Sequence, residues 1–212
     1  MINSNIFLFS KTSHPNVNHI PIIETNHLSP HIDFSKYDYI IATSKEVFNA
    51  LDSIGQWKHL PILTISNSTA NYAKSIGCSI LDISSGYAKD IHKLIKNKYS
   101  NLNALYPHAE SISFDIALNL KDYNINIDSI PIYKTSCSNF KKVELPLDAI
   151  CIFTSPSSIK CFLKNYSFLP SYTIICIGNT TSSSIPSNIL HHISNKQSIE
   201  SAINYALYSK LR

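Results

Sequence analysis

Short apolar runs alternate along the chain with segments in which apolar residues recur every three or four positions. The runs predict β-strands, and the recurring pattern predicts amphipathic helices. The predicted strands cover residues 6–9, 20–23, 39–42, 62–65, 79–82, 104–106, 128–133, 149–153, 173–177 and 189–192. The predicted helix faces are formed by Val47, Leu51 and Ile54; by Tyr87, Ile91, Leu94 and Ile95; by Ile159, Phe162, Leu163 and Tyr166; and by Ile199, Ala202, Ile203, Ala206 and Leu207. Alternation of strands and helices predicts right-handed parallel crossovers and therefore an α/β fold.

Two strand-to-helix turns occur twice in the chain. Tyr-Ile-Ile-Ala-Thr-Ser at 39–44 is echoed by Cys-Ile-Phe-Thr-Ser at 151–155. Ile-Ser-Asn-Ser-Thr at 65–69 is echoed by Ile-Gly-Asn-Thr-Thr at 177–181. The order of the turns and their separation are nearly the same in both copies. Although motifs this short can match by chance, the pattern indicates two lobes of the same α/β type.

Each of these turns ends a predicted strand with hydroxyl or amide side chains and then begins a helix. Ser44 and Ser155 stand where helix N-cap residues are expected, and Pro156 fits a first helical position because it has no N–H to leave unpaired. Helix capping alone is sufficient to explain these residues. However, helix N-termini at the carboxyl edge of a parallel sheet also bind anions. Four such ends, two in each lobe, predict a cleft that binds carboxylates.

The composition agrees with a small anionic ligand. A net charge of +4 is mild for a nucleic-acid-binding protein, which usually carries a dense stripe of lysine and arginine. The apolar content of 44% excludes intrinsic disorder. No apolar run approaches the roughly 18 residues of a membrane helix, and the N-terminal sequence lacks the basic segment of a signal peptide. We therefore expect a cytoplasmic protein that binds neither a membrane nor nucleic acid.

The cysteines and histidines do not form a recognisable metal or disulfide pattern. The five cysteines are an odd number without a Cys-x-x-Cys pair, which argues against a disulfide framework and a zinc ribbon. The nine histidines form no His-Glu-x-x-His motif. We expect buried thiols and no metal. The chain also lacks the glycine-rich motifs that bind dinucleotides or nucleoside triphosphates and the Gly-x-Ser-x-Gly turn of hydrolases.

As an ordered set, these motifs resemble the uroporphyrinogen-III synthase family over residues 6–207. The resemblance is carried by the Thr-Ser strand ends at 43–44 and 154–155, the paired turns at 65–69 and 177–181, the Tyr-Pro turn at 106–107 and Pro-Ile-Tyr-Lys-Thr at 131–135. The most specific part is Phe-Thr-Ser-Pro at 153–156 followed by the turn at 177–181.

The resemblance implies an α/β fold of two flavodoxin-like lobes with parallel sheets, joined by a two-stranded connection, with a cleft between them. The first lobe would be discontinuous and comprise residues 1–30 and 137–212. The second lobe, inserted into the first, would comprise residues 37–133.

The chain departs from the family pattern at three places. The family usually has a full helix between its first two strands, but residues 11–19, with Pro15, are too short and broken to form one. The first lobe should therefore lack one covering layer on a sheet face. Ser66 stands where the family has a glycine, and the helix after Thr181 should be short because Pro186 follows it.

The resemblance further implies a cofactor-free, monomeric enzyme that acts on a small polycarboxylate, hydroxymethylbilane. The family reaction closes this linear tetrapyrrole with inversion of its last ring and loss of water, giving uroporphyrinogen III for haem biosynthesis. The substrate also closes without enzyme to the uninverted type I isomer. The enzyme must therefore help the hydroxyl leave and hold the intermediate in the fold that leads to inversion.

Site residues follow from the matching motifs. Tyr133, which matches the family tyrosine, would donate to the departing hydroxyl because a phenol with a pKa of about 10 is protonated at neutral pH. A buried tyrosine that only packs is the alternative. His108, at another strand end, could pair with an acidic group. The residues expected to bind substrate carboxylates are Ser44, Asn67, Ser68, Thr69, Ser155, Ser158, Thr180 and Thr181, together with His108.

Two other classes of protein remain as alternatives. A non-catalytic two-lobed sensor of small anions would share the cleft and the helix N-termini. A two-lobed nucleotide-sugar or phosphate transferase would need a phosphate loop or metal-binding carboxylates, and the sequence contains no motif for either.

Overall fold

The computed structural model describes residues 3–84, 88–112 and 114–209. The strands in these parts of the chain are β1 (Asn3–Phe9), β2 (Val17–Ile20), β3 (Ile23–His27), β4 (Tyr39–Ala42), β5 (Ile62–Thr64), β6 (Ile80–Ile83), β7 (Ala104–Ala109), β8 (Ile127–Cys137), β9 (Ile150–Phe153), β10 (Thr173–Cys176) and β11 (His192–Ile193). The α-helices are α1 (Glu46–Asp52), α2 (Asn67–Ser75), α3 (Ala88–Lys98), α4 (Ile116–Leu120), α5 (Pro156–Asn165), α6 (Asn179–Ser182) and α7 (Ile199–Ser209). Tyr87, which the periodicity assigns to the third helix, lies outside the described residues.

The chain forms two compact units. One unit contains residues 1–24 and 135–212, and the other contains residues 25–134 inserted between them. The chain passes between the units within β3 and again within β8, and these strands are neighbours at one edge of a sheet. The α/β class with parallel sheets in two lobes is therefore confirmed.

The discontinuous unit has a five-stranded parallel sheet in the order β11-β10-β9-β1-β2. Its strand β9 is buried on both sides. Cys151 and Phe153 pack in one core with α5, whereas Ile150 and Ile152 pack in another with α7. A strand covered by helices on both faces needs apolar side chains at every position, which explains the uninterrupted run in the sequence.

The missing helix after β1 does not leave a face of this sheet open. The described residues between β1 and β2 contain no helix, as expected. Nevertheless, Ala202 and Ala206 of α7 pack in one core with Ile6 and Leu8 of β1, and both strand residues are completely buried. The expectation of a missing covering layer was wrong because the C-terminal helix covers this face.

The inserted unit has a six-stranded sheet in the order β3-β8-β7-β4-β5-β6. Each neighbouring pair among the last five strands of this order is parallel. The central strand β4 is buried on both faces. Ile40 and Ala42 pack with residues of α1 and α2, whereas Tyr39 and Ile41 pack with residues of α3 and α4. The carboxyl ends of β4, β5, β7 and β8 consequently lie along one edge of this sheet.

Two predicted strands differ from those in the structure. The strand expected at 20–23 is divided between β2 and β3, since Pro21 has no N–H with which to continue a ladder. The strand expected at 189–192 is reduced to the two residues of β11. Upstream of β11, the backbone N–H of Ile189 donates to the carbonyl of Pro186 at 2.9 Å and forms a turn instead.

The cysteines include one bridged pair. Cys137 at the end of β8 and Cys161 in α5 form a disulfide, with their Cα atoms 5.3 Å apart. The expectation of buried thiols was wrong for this pair, because an odd cysteine count does not exclude a single bridge between distant positions. Cys78, Cys151 and Cys176 are free and buried.

No helix among the described residues has both the length and the apolar character needed to cross a membrane. In the same residues, histidine, cysteine and acidic side chains do not gather in threes or more where a metal ion could be held.

Candidate functional site

In the inserted unit, the turn after β5 is closed by two hydroxyl side chains. Ser66 is the N-cap of α2, and its Oγ accepts a hydrogen bond from the backbone N–H of Thr69 at 3.2 Å. The same hydroxyl donates to Thr69 Oγ1 at 3.0 Å. Thr69 is buried, whereas Asn67 and Ser68 are more exposed in the first turn of the helix. Asn67 and Ser68 are therefore the more accessible side chains of this turn.

Ser44, after β4, is not a helix cap. The N-cap of α1 is Lys45, which makes no side-chain capping hydrogen bond. Ser44 instead shares a hydrogen bond of 3.0 Å with the hydroxyl of Tyr133 in β8. The prediction of a cap at Ser44 was wrong because α1 begins one residue later than the repeat suggests. The serine hydroxyl is therefore available to Tyr133 in β8, two strands away in the sheet.

Tyr133 is buried, with 8% of its surface exposed. Burial raises the pKa of its phenol above the ordinary value, the hydrogen bond from Ser44 opposes that shift, and the negative charge of Glu46 adds to it. The net shift is upward, because desolvation disfavours the charged phenolate. Tyr133 is consequently a stable proton or hydrogen-bond donor at neutral pH.

A second buried tyrosine lies close to this hydroxyl pair. Tyr106 in β7 is hydrogen-bonded to the side chain of Thr43, and burial, Asp115 and Tyr133 all raise the pKa of its phenol. Both phenols therefore remain protonated over the physiological pH range. The sequence indicates Tyr106 only as part of a turn, since an apolar strand does not reveal where the hydroxyl group of its tyrosine lies.

Glu46, two positions after Ser44, forms a further pair with His27 that the sequence did not reveal. Glu46 is in the first turn of α1, and its Oε1 lies 2.9 Å from Nε2 of His27 in β3. The imidazole nitrogen is the donor, because a carboxylate only accepts hydrogen bonds. A histidine in the segment expected to belong to the first lobe gives no signal of a partner 19 residues further along the chain.

His108 is buried in β7 and contacts neutral groups. Its Nδ1 lies 2.7 Å from the carbonyl oxygen of Ala109, and its Nε2 lies 2.9 Å from the hydroxyl of Ser129. Both ring nitrogens are thus engaged by the protein itself rather than by an acidic side chain. An acidic partner supplied by a substrate stays a prediction.

In the discontinuous unit, the turn after β9 forms a reciprocal cap. Ser155 Oγ accepts from the backbone N–H of Ser158, and Ser158 Oγ accepts from the backbone N–H of Ser155, both at 3.2 Å. Pro156 occupies the first helical position. The predicted cap at Ser155 and the position of Pro156 are confirmed. Ser158 is completely buried, so its hydroxyl holds the turn and Ser155 is the more accessible of the two.

The turn after β10 begins the short helix α6. Gly178 is its N-cap, Thr180 is exposed, and Thr181 is buried with 3% of its surface accessible. The helix ends at Ser182, which confirms the short helix predicted from Pro186. A Cβ atom added to Gly178 would lie 3.3 Å from Cγ of Gln197, so a second segment covers this turn closely.

The predicted residues are therefore brought together in local groups within each unit. Ser44 meets Tyr133, Ser155 meets Ser158, and the remaining hydroxyl and amide residues lie at helix starts that follow parallel strands. These groups offer neutral donors to an anionic ligand. In the inserted unit, they are accompanied by a protonated phenol that can donate to a leaving oxygen.

Comparison with known proteins identifies the family. The profile described as uroporphyrinogen-III synthase HemD matches residues 14–204. The chain belongs to the uroporphyrinogen-III synthase family. The match contains every predicted site residue, and it confirms the resemblance carried by the strand-end motifs.

A curated relative and two solved structures agree with this assignment. The porphyrin biosynthesis protein HemD of Ruminiclostridium josui is 27% identical over 192 residues, which are 81% of this chain and 38% of that protein. The chain therefore spans well under half the length of this relative.

The uroporphyrinogen-III synthetase of Helicobacter pylori has a TM-score of 0.78 at 22% identity, and the match covers 99% of this chain and 100% of the other. A mutant uroporphyrinogen III synthase from the extremely thermophilic bacterium Thermus thermophilus has a TM-score of 0.63 at 8% identity, and the match covers 99% of both chains. At these identities, the two structures support the fold.

Proposed function

We propose that this member of the family is a uroporphyrinogen-III synthase, a lyase of haem biosynthesis. It closes hydroxymethylbilane, inverts the last pyrrole ring and releases water, without a cofactor. The observation that carries the proposal is a buried, protonated phenol, that of Tyr133, hydrogen-bonded at 3.0 Å to Ser44 within the region that matches the family.

Tyr133 acts on the hydroxyl that leaves. Hydroxide is a poor leaving group, so the departing oxygen needs a proton or a strong hydrogen bond from the enzyme. Burial keeps the pKa of Tyr133 raised, and the proton therefore stays on the phenol until the C–O bond begins to break. Ser44 directs the phenol through their shared hydrogen bond, which is why we assign Ser44 to orientation as well as to binding.

The strand-end turns bind the carboxylates of the substrate. Accessible residues of the first helical turns, Asn67 and Ser68 in one unit and Thr180 in the other, contact the carboxylates directly. Ser155 contributes its hydroxyl and the start of α5. Backbone N–H groups at the starts of α2 and α5 add partial positive charge without lysine or arginine side chains.

The buried residues of the predicted set have a different part in this proposal. Thr69, Ser158 and Thr181 shape their turns, and His108 fixes the end of β7 through Ser129 and Ala109. They hold the backbone donors in place for the substrate. The proposal also includes a monomer, which sedimentation analysis would test, and a cytoplasmic location, which cell fractionation would test. The protein acts on this small molecule and does not bind nucleic acid.

The deciding experiment supplies purified protein with hydroxymethylbilane and measures the two uroporphyrin isomers after oxidation. We expect type III in large excess over type I, compared with type I alone in a reaction without protein. Type I alone at every protein concentration would refute the proposal. Substrate binding measured by calorimetry without excess type III would favour the anion sensor instead.

A further inference from the structure

A carboxylate beside Tyr133 has no part in the chemistry described so far. Glu46 is close enough to Tyr133 for its negative charge to raise the pKa of the phenol. It lies two positions after Ser44, which contacts that phenol directly at 3.0 Å. The Glu46 side chain is 18% exposed, so it is largely shielded and still accessible from one side.

The Glu46 carboxylate is held by partners on both oxygens. Oε1 accepts from Nε2 of His27 at 2.9 Å, and Oε2 lies 3.5 Å from Nδ2 of Asn49 in the same helix. His27 belongs to β3, the neighbour of β8 in the sheet, so the strand beside the one that carries Tyr133 also fixes Glu46. Two partners on different elements favour one side-chain conformation.

We propose that the Glu46 carboxylate stabilises the positive charge that develops on the substrate ring as the hydroxyl leaves, and that His27 is the positioning residue for Glu46. This inference rests on the proposed function, since it assigns a further residue to the same reaction. It differs from the Tyr133 assignment because Glu46 remains a carboxylate throughout and transfers no proton.

The step balances without another reactant. The bond between the hydroxymethyl carbon and its oxygen breaks, the oxygen takes the phenol proton of Tyr133, and water leaves. The nitrogen lone pair of the pyrrole ring moves toward the exocyclic carbon, so the ring carries one positive charge. On closure, the exocyclic carbon bonds to the α-carbon of the last ring that held the bridge, and the bridge bond breaks there and re-forms at the other α-carbon. That second carbon loses a proton, which returns to the phenolate. The cation exists only between these two events, next to the phenolate and to Glu46.

A fixed negative charge stabilises this intermediate more than it stabilises the neutral hydroxymethyl group of the substrate. Interactions that strengthen as charge develops lower the barrier, whereas uniform binding does not. In the shielded position of Glu46, the attraction is also less screened than it would be in water. We therefore expect an effect on turnover with little effect on substrate binding.

The chain contains a matched control pair. Glu200 at the start of α7 lies 2.9 Å from Nε2 of His14, the same distance as in the Glu46–His27 pair. Glu200 is 65% exposed and belongs to the other unit. Glu200→Gln therefore removes a carboxylate from a more exposed histidine–glutamate pair of the same length, in the unit that does not contain Tyr133.

The kinetic test compares Glu46→Gln with Glu200→Gln and with the unchanged protein. We expect kcat for type III formation to fall about 10- to 100-fold in Glu46→Gln, with KM within about three-fold, and to stay within about two-fold in Glu200→Gln. Equal kcat values in Glu46→Gln and the unchanged protein would overturn the inference. Absence of type III formation in the unchanged protein would instead refute the proposed function.

His27 is tested by substitution and conservative rescue. We expect His27→Phe to reduce kcat by about 3- to 10-fold, because Glu46 loses its partner on β3, and His27→Gln to recover most of the loss through its amide donor. A reduction that is the same in both variants would exclude a positioning role.

A spectroscopic test does not depend on activity. Fluorine on the ring lowers the pKa of a phenol, so 3-fluorotyrosine moves the titration, which is followed by fluorine NMR, to lower pH. The Tyr133 signal is identified by its loss in Tyr133→Phe. We expect a lower titration midpoint for Tyr133 in Glu46→Gln than in Glu200→Gln, and equal midpoints would show that the carboxylate does not act at this phenol.

Discussion

The hydroxyl of Ser44 lies 3.0 Å from that of Tyr133, whereas Ser155, its counterpart in the second copy of the repeat, caps a helix. The two serines follow strands of the same kind, but α1 begins one residue later than α5 relative to its serine. One copy of the turn therefore orients a phenol, and the other stabilises a helix start. The substitutions below separate these two roles.

Removing the phenol hydroxyl should remove catalysis and leave binding largely intact. In Tyr133→Phe, we expect kcat for type III formation to fall by about 100-fold, the lower part of the range for a lost general acid, with KM within about three-fold. Initial rates measured by isomer separation would check this. Activity within a factor of two of the unchanged protein would remove Tyr133 from the catalytic role.

A control for this substitution is available in the same unit. Tyr37 donates to Asp128 Oδ2 at 2.7 Å, and it precedes β4, so it lies at the opposite end of that strand from Ser44. Tyr37→Phe loses a comparable hydrogen bond away from the proposed chemistry. We expect kcat of Tyr37→Phe to stay within about two-fold of the value for the unchanged protein. A larger loss in Tyr133→Phe would then be due to the missing phenol donor rather than to a general loss of stability.

The cap at Ser155 should be worth a measurable part of the folding free energy. We expect Ser155→Ala to lower the free energy of unfolding by about 1 kcal/mol, because the N–H of Ser158 loses its side-chain acceptor and keeps only the carbonyl of Ser155, at 3.1 Å. Ser155→Asn retains a capping oxygen, so its free energy of unfolding should fall by only a few tenths of a kcal/mol. Urea denaturation followed by circular dichroism would compare them, and equal losses would show that the cap contributes nothing.

Much of the fold could be predicted from the sequence because β4 and β9 are buried on both faces and therefore appear as uninterrupted apolar runs. The short helix α6 was also predictable, since Pro186 limits it. These features depend on residues adjacent in the chain.

Other features depend on contacts between distant residues, which periodicity does not reveal. The Ser44–Tyr133 hydrogen bond joins residues 89 positions apart, and the Cys137–Cys161 bridge joins residues 24 positions apart. The packing of α7 over β1 is also a contact between distant parts of the chain, and periodicity does not show which sheet face the C-terminal helix covers. The predicted helix cap at Ser44 was wrong because of a local difference: α1 begins one residue later than expected.

Thr181 provides a test of substrate retention in the discontinuous unit. It is buried at the third position of α6, so valine preserves its volume and removes only the hydroxyl. We expect Thr181→Val to raise KM for hydroxymethylbilane by about five-fold, because the turn loses a hydroxyl that holds its backbone donors in place for the substrate. Ser183→Ala, which removes an exposed hydroxyl from the end of the same helix, should change KM by less than about two-fold. Unchanged KM and isomer ratio in Thr181→Val would count against a binding role for this turn.

The Cys137–Cys161 bridge should make the stability of the protein depend on reduction. It joins β8 to α5 across 24 residues, and closing a loop of that length in the unfolded chain contributes about 3 kcal/mol. We expect guanidinium unfolding to shift to lower concentrations when dithiothreitol is added. Cys137→Ser should be equally stable with and without the reductant. A thiol titration of the unfolded, unreduced protein should detect three thiols, those of Cys78, Cys151 and Cys176. Detection of all five cysteines as thiols would show that the bridge does not form.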